Sequence, residues 1–510
     1  MAATGSPIQA DRAAGLGVLL AACVSALVVN ANTSAVTILL PAISQDVGAP
    51  VATLQWAVTG YMLVGAAVIV TSGALGDVFG RRRIFLAGLV LFVLSCGLIA
   101  LSTSAAGVIA GRMIQGAAGS TILACGMSLL SVGSAGTGQL KAITRWGAAS
   151  AIGGAAGPLI GGVLVGSTGW QGLFWIDAAI AALCVPLTYF TVKESRDPDR
   201  PREIDLLGTV LVAVALVPLV LALSEGGGWG WLSFPTIACL VLSVLGGIGF
   251  VQAERHATAP LVDLTLLRNR VLVGSATAIL LVAGVINALM YLLSLYFQDP
   301  DGFGMTALQA GLATLPAAAA MIAITPLITP LAVKIGPRYA VAIGFGLATA
   351  GFVALAFVSP SWEYGAFVLP LIVLSIGLGL ANGPASAAST SAVDQDQVGQ
   401  ASGISNMARY VGGSLAVAAA ATVSTAVTDG RTTSGAGAAE ALTAGLAGGA
   451  VLLAVMSAGG VALVLLLRRQ RSEPVTAVHL AAAAAATSHT IPTRATPPVA
   501  GSVPPSGGAR

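Results

Sequence analysis

Long apolar segments alternate with short polar ones along most of this chain. A bilayer core of roughly 30 Å needs about 20 apolar residues of helix, and fourteen runs approach or exceed that length. The runs lie near residues 14–38, 51–74, 84–102, 106–131, 143–166, 171–191, 204–223, 232–253, 271–297, 307–332, 339–358, 364–388, 402–427 and 442–467. Because backbone groups must pair internally in lipid, this pattern predicts an all-α integral membrane protein with 14 transmembrane helices.

The composition agrees with a membrane environment. The chain has 510 residues, of which 56% are hydrophobic and 8% are charged, and its mean hydropathy is +0.91. Soluble proteins carry roughly 25% charged residues. The net charge of +3 is too small to indicate nucleic acid as a partner. The five cysteines and three histidines form no cluster with ligand spacing, so we expect no metal and no cofactor.

Basic residues predict the orientation. With the N-terminus in the cytoplasm, nearly all of the 23 Lys and Arg residues fall in or beside cytoplasmic segments. The exceptions are Arg431, in an outside loop, and Arg112, within a span. We therefore expect a multi-pass protein of the cell (plasma or inner) membrane with both termini cytoplasmic.

Two loops suggest an internal repeat. Leu75–Arg82 joins spans two and three, Leu331–Arg338 joins spans ten and eleven, and the two segments share Leu, Gly and Arg at one fixed offset. Repeated halves are typical of secondary transporters. The predicted organisation is a cytoplasmic N-terminus (1–13), an N-terminal six-helix bundle (14–191), a cytoplasmic loop (192–203), an inserted helix pair (204–253), a second cytoplasmic loop (254–270), a C-terminal six-helix bundle (271–467) and a disordered cytoplasmic tail (468–510).

The first of these loops has a distinctive sequence. The run from Gly73 to Arg83 reads GALGDVFGRRR, and it resembles the signature loop of the major facilitator superfamily. The resemblance implies that fold, with two six-helix bundles, and a cytoplasmic gate at the matched positions. These positions are Gly73, Asp77, Gly80, Arg81 and Arg82.

Two further motifs resemble the same superfamily. Arg112-Met-Ile-Gln115-Gly116 lies in span four, and in the family this Arg is tied to proton coupling. A charge within a span is costly unless it meets a partner or water, so we expect Arg112 to face the central cavity, with extension to the outer interface as the alternative. Span five contains small residues and a proline that resemble the antiporter motif of exporters. They are Gly153, Gly157, Pro158, Gly161 and Gly162.

Fourteen spans with these motifs resemble the drug/proton antiporter branch, but span one departs from that pattern. Where the branch has a carboxylate, this chain has Asn32, and Ser34 and Thr37 replace the family's Thr and Asn. A buried carboxylate can take up and release a proton near neutral pH because desolvation disfavours its charged form, and an amide cannot.

Asp177 is the only acidic residue well inside a span, at a position where the branch often has Asn. We therefore hypothesise that Asp177 supplies the titratable group or pairs with Arg112. The alternative is an acid at the outer edge that reaches water.

The expected cavity is polar but poor in acids, which suits neutral amphipathic or weakly anionic compounds better than dications. Its expected members are Asn32, Ser34, Thr37, Arg112, Gln115, Asn287 and Asn382, with Asp177 as the candidate acid.

Three functions remain in competition. The first is an exporter of small hydrophobic or amphipathic compounds, such as drugs and antibiotics, that acts as a proton antiporter and is monomeric. The second is an exporter of an endogenous metabolite (an antibiotic or siderophore) with weak or no proton coupling. The third is a membrane scaffold or sensor that does not transport. An enzyme is not expected, because no span carries a pair of acids or a nucleophile beside a base.

Overall fold

The computed structural model describes residues 7–132, 137–196, 205–257, 260, 262–393 and 397–466. Within these ranges the chain is helical and contains no strand. The predicted tail (468–510), most of the residues of the loop at 192–203 and the first six residues lie outside the described residues.

The helices follow one another with short connections, as the alternation of apolar and polar segments predicts. They are α1 (Pro7–Val47), α2 (Val51–Leu54), α3 (Trp56–Phe79), α4 (Arg81–Ala100), α5 (Ala105–Val132), α6 (Thr137–Thr168), α7 (Gln171–Thr191), α8 (Leu206–Trp229), α9 (Phe234–His256), a 3-10 turn (Leu266–Arg268), α10 (Arg270–Gln298), α11 (Ala307–Ala313), α12 (Leu315–Ile335), α13 (Pro337–Ala356), α14 (Tyr364–Ser391), α15 (Val398–Thr433) and α16 (Ala438–Leu466).

Thirteen of the described helical spans are long and apolar enough to cross a membrane, with α2 joined to α3 and α11 to α12. The helix α6 makes a fourteenth if its two parts, which meet at an angle of 45°, form one span. The predicted all-α membrane fold is therefore confirmed. Pro158 in α6 has no N–H for the carbonyl four residues earlier, which is a physical cause for a bend in this helix.

Contacts between loops define two ends of the molecule. At one end, Arg82 in the first turn of α4 donates to the carbonyl of Val192 at the end of α7. We call this end, which includes the basic residues Arg81–Arg83, the arginine-rich face. At the other end, Trp170 donates from its indole to Asp46 near the end of α1 at 2.9 Å. We call this end the opposite face.

The helices pack in two groups with matching partners. In the first group, α1 packs on α6 and α7, α3 and α4 pack on α5, and α4 packs on α7. In the second group, α10 packs on α15 and α16, α12 and α13 pack on α14, and α13 packs on α16. Each helix of the first group thus has a counterpart in the second, in the same order along the chain.

The two repeated turns match in their backbone and in their contacts. Gly80 has φ 114° and Gly336 has φ 91°, a region that favours glycine, and each joins two helices without an intervening loop. Arg82 Nη1 donates to Val192 O at 3.2 Å, and Arg338 Nε donates to Val464 O at 2.8 Å. Each arginine therefore ties the turn to the last helix of its own group.

The helices α8 and α9 pack on each other and stand beside both groups. The inner helix α8 makes the main contacts of this pair with the other helices, through α3 and α15. Its polar contacts are Thr209 with Thr71, Ser224 with Gln55, Glu225 with Trp56, and the carbonyl of Leu223 with Thr422. The outer helix α9 is mostly exposed and apolar, as expected for a helix surrounded by lipid.

Candidate functional site

A carboxylate and an amide meet inside the first group of helices. Asn32 of α1 donates from Nδ2 to Oδ2 of Asp177 in α7 at 2.7 Å. Asn32 is fully buried, and only 5% of Asp177 is exposed. The interpretation of Asp177 as an acid that reaches water is therefore wrong for this conformation, since its carboxylate is enclosed among α1, α4 and α7.

Arg112 of α5 approaches the same amide from the other side. Its Nη1 donates to Oδ1 of Asn32 at 2.6 Å and also to Oε1 of Gln115. Its Nε donates to the carbonyl of Ala57 at 3.0 Å, and its guanidinium lies 4.1 Å from the ring centre of Tyr61. The side chain is fully buried, so Arg112 does not line open space, contrary to expectation.

We call Asn32, Cys96, Arg112, Gln115 and Asp177 the buried polar cluster. The thiol of Cys96 belongs to it because Gln115 donates from Nε2 to its Sγ at 3.0 Å. Sequence reasoning treated this cysteine as packing, and only a helical-wheel comparison of α4 with α5 could have suggested the contact. The cluster holds one cation and one anion, and the Asn32 amide stands between them.

The cluster reaches the second group of helices through two aromatic rings. Tyr61 of α3, which stacks on Arg112, lies with its ring centre 6.4 Å from that of Tyr410 in α15. Gly65 faces the same ring, because a side chain at Gly65 would meet Cε1 of Tyr410 at 2.9 Å. A displacement of Arg112 would therefore change the contact between Tyr61 and Tyr410, which joins the two groups of helices.

The other expected cavity residues do not join this cluster. Ser34 donates to the carbonyl of Asn30 within α1, and Asn287 donates to that of Ala283 within α10. Thr37 is buried, and its carbonyl accepts a hydrogen bond from Ser294 of α10. Among the described residues, Ser34, Thr37 and Asn287 thus have no hydrogen bond to the buried polar cluster, and a shared cavity stays a prediction.

Asn382 has a separate partner that sequence reasoning missed. Arg409 of α15 donates from Nη1 to Oδ1 of Asn382 at 3.1 Å and from Nη2 to Oγ of Ser386 at 3.4 Å. The position of Arg409 within the predicted span at 402–427 was the available signal. No carboxylate pairs with Arg409 among the described residues.

The signature loop is held by charge contacts at the arginine-rich face. Arg81 donates from Nε to Oδ1 of Asp77 at 2.9 Å. Glu194, after α7, accepts a hydrogen bond from the backbone N–H of Arg82 and pairs with Arg83 at 3.7 Å. Sequence reasoning did not identify Glu194. A side chain at Gly73 would meet none of the described atoms within 4 Å, so close packing does not explain this glycine in this conformation.

The glycines of α6 allow backbones to touch. A side chain at Gly153 or Gly157 would collide with carbonyls of α1, and one at Gly161 would press on Ala35. A side chain at Gly162 would meet the carbonyl oxygen of Ala307 in α11 at 2.6 Å. These residues therefore let α6 pack directly on both groups of helices.

Among the described residues, no group of His, Cys, Asp or Glu has the geometry to hold a metal ion.

Comparison with known proteins agrees with this architecture. The family model described as Major Facilitator Superfamily matches residues 22–417. The chain is 32% identical to the tetracenomycin C resistance and export protein of Streptomyces glaucescens, over 78% of this chain and 74% of that protein. It is 31% identical to the cephamycin export protein CmcT of Amycolatopsis lactamdurans, over 81% and 85% respectively. It is 32% identical to the multidrug resistance protein Stp of Mycobacterium tuberculosis, over 80% and 74%.

Solved structures show the same fold at low sequence identity. An auto-inhibited peptide transporter of the POT family matches with a TM-score of 0.65 and 16% identity, over 91% of this chain and 98% of that one. The human organic anion transporter MFSD10 (TETRAN) matches with a TM-score of 0.55 and 17% identity, over 89% and 100%. Since the family model spans most of the chain and relatives above 30% identity cover about four fifths of it, the chain belongs to the major facilitator superfamily.

Proposed function

We propose that this protein exports small hydrophobic or amphipathic compounds across the cell membrane in exchange for protons, as a monomer and with both termini in the cytoplasm. Three relatives that it resembles over most of its length are named for export or multidrug resistance. The scaffold or sensor alternative has no comparable support.

The observation that carries this proposal is the contact of α6 with α11. The glycine-rich part of α6 has the sequence that resembles the antiporter motif, and Gly162 meets the backbone of Ala307 across the boundary between the two groups of helices. Ser294 and Gln298 of α10 donate to the carbonyls of Thr37 and Ile38 near the same end. These contacts close the opposite face, and an exporter must open and reclose that face in each cycle.

Charge in the described helices supports a substrate preference. Arg409 is half-buried with Asn382 and Ser386 and without a carboxylate, and Asp177 is enclosed and already contacts Asn32. A lipophilic dication would therefore find no free counter-charge at either place, whereas a weak anion could approach Arg409. We propose neutral and weakly anionic amphipathic compounds as substrates.

Two dyes with nearly the same ring system test this preference. N-phenyl-1-naphthylamine is neutral, and 1-anilinonaphthalene-8-sulfonate carries one negative charge. In proteoliposomes, Arg409→Gln should lower transport of the anionic dye about tenfold, the equivalent of one charged hydrogen bond, and leave transport of the neutral dye nearly unchanged. Arg431→Gln, in the exposed end of α15, is the matched control. Equal loss for both dyes would reject a substrate anion at Arg409.

A second candidate function is export of an endogenous metabolite with weak or no proton coupling. Asn32 favours it, because this position in span one lacks the carboxylate of the branch that the sequence resembles. The relatives named for tetracenomycin C and cephamycin export are consistent with it. Proton flux separates the two candidates, since only the antiporter acidifies or alkalinises the vesicle lumen in step with substrate.

The direct test uses purified protein in proteoliposomes with a trapped pH-sensitive dye. Addition of N-phenyl-1-naphthylamine should drive proton movement opposite to substrate, and an imposed proton gradient should drive accumulation of the dye. Substrate movement without proton movement would favour the second candidate. Absence of both, with this compound and the anionic one, would reject export of such compounds.

A further inference from the structure

The buried polar cluster contains the groups that a proton-coupled switch requires, although Asn32 itself cannot ionise. We propose that Asp177 carries the proton that is exchanged for substrate, and that Asn32 transmits its charge state to Arg112. This inference rests on the proposed antiport and names the residue responsible for it.

The contacts of Asn32 determine how it would act. Its Nδ2 donates to Asp177 at 2.7 Å, and its Oδ1 accepts from Arg112 at 2.6 Å. Both the N–H and the carbonyl oxygen of the Asn32 amide are therefore hydrogen-bonded. The Asp177 carboxylate and the Arg112 guanidinium favour the same orientation of this amide. Rotation of the amide would place its donor against a donor and its acceptor against an acceptor, so only one orientation fits the ionised pair.

The groups around Asp177 come from three helices. Cys96 lies nearby on α4, and Arg112 of α5 faces Asp177 through Asn32 of α1. The helix α6 carries its ionisable residues, Lys141 and Arg145, near the start of the helix, whereas it meets α7 at its other end. Arg112 is consequently the cation most directly linked to this carboxylate.

Uptake of a proton by Asp177 changes the balance of the cluster. A proton bound to Oδ2 converts the carboxylate to a carboxylic acid, and the cluster then holds the positive charge of Arg112 alone. Oδ2 also becomes a donor that faces the N–H of Asn32. An unbalanced charge within a span is costly, so protonation favours any conformation in which Arg112 reaches water or a counter-charge.

Arg112 is placed to pass this change to the rest of the molecule. Its Nη2 has no hydrogen-bond partner among the described residues, although the atom is buried. Its guanidinium stacks on Tyr61, whose ring approaches that of Tyr410 in the second group of helices. Movement of Arg112 would therefore disturb a contact between the two groups, which must separate and rejoin during transport.

An exchange of the two side chains gives the sharpest test. Asp177→Asn should abolish substrate-driven proton flux in proteoliposomes, while exchange of labelled for unlabelled N-phenyl-1-naphthylamine without a gradient continues. The double variant Asn32→Asp/Asp177→Asn returns one carboxyl and one amide to the same contact and should regain proton flux. Asp46→Asn, which alters an exposed acid that binds Trp170 and Gln171, should keep wild-type flux.

The outcomes separate this inference from the proposed function. If the wild-type protein couples substrate to protons and Asp177→Asn does so equally, the assignment of Asp177 is rejected and the antiport stands. If Asp177→Asn loses both coupling and gradient-independent exchange and the double variant regains neither, Asp177 is a structural residue and the inference is again rejected. If the wild-type protein moves substrate without protons, the proton antiport itself fails.

Discussion

At the scale of single residues, one amide separates two opposite buried charges. Asn32 contacts Asp177 and Arg112, and Arg112 is also held by the carbonyl of Ala57 and the ring of Tyr61. Removal of one member of such an arrangement leaves the other charge buried without compensation. The cost is then larger than the value of the intact contact.

Arg112→Met should therefore lower the free energy of unfolding by about 3 kcal/mol, because the Asp177 carboxylate loses the cation most directly linked to it. Adding Asp177→Asn should recover part of this loss, since no uncompensated charge remains. Thermal unfolding in detergent measures both steps. Arg255→Met, at an exposed position at the end of α9, is the control and should change stability little. An additive double variant would show that the two charges are not coupled.

At the scale of helices, α6 differs from its neighbours because its glycines face backbone on two sides. Gly153 and Gly157 face carbonyls of α1, and Gly162 faces Ala307 of α11. Gly154 lies on another side of the same helix, where an added methyl group would meet none of the described atoms within 4 Å. Packing therefore distinguishes Gly154 from the other three positions.

Gly162→Ala should weaken the closure of the opposite face, because the added methyl would press on the α11 backbone. We expect a loss of about 1–3 kcal/mol in stability and slower export. Gly154→Ala should be neutral or stabilising by up to about 1 kcal/mol, since alanine favours helix. Thermal unfolding and dye export measure both variants. Equal effects at the two positions would show that the α6–α11 contact has no special role.

At the scale of the whole molecule, the two groups of helices meet at the opposite face and also along α3 and α15. Ser294, Gln298 and the α6–α11 contact join them at the opposite face. Toward the arginine-rich face, Ser402 of α15 donates to the sulfur of Met127 in α5 at 3.6 Å. The conformation is thus closed at the opposite face.

The orientation of these faces can be checked directly. In a variant without native cysteines, Arg83→Cys at the arginine-rich face should react with a membrane-impermeant thiol reagent only in inside-out vesicles. Ser434→Cys, exposed after α15, should react in intact cells. Reaction of each cysteine from the other side would contradict the proposed orientation.

The sequence predicts those parts of the fold that depend mainly on neighbouring residues. The lengths of apolar segments place the helices, since lipid requires each segment to satisfy its own backbone. Gly80 and Gly336 could be matched because a turn without an intervening loop needs a positive φ. The broken segments α2–α3 and α11–α12 were not predicted, because composition carries little sign of a short interruption.

The sequence by itself determined the membrane class, the helical spans and the family resemblance, because hydropathy and motif spacing are properties of neighbouring residues. It also identified the exchange of acid and amide between positions 32 and 177. Only the tertiary structure shows that Asn32 contacts both Arg112 and Asp177, and that Asn382 instead contacts Arg409. The reason is physical: which faces of distant helices meet depends on side-chain packing across the bundle, and no local pattern in the chain encodes that choice.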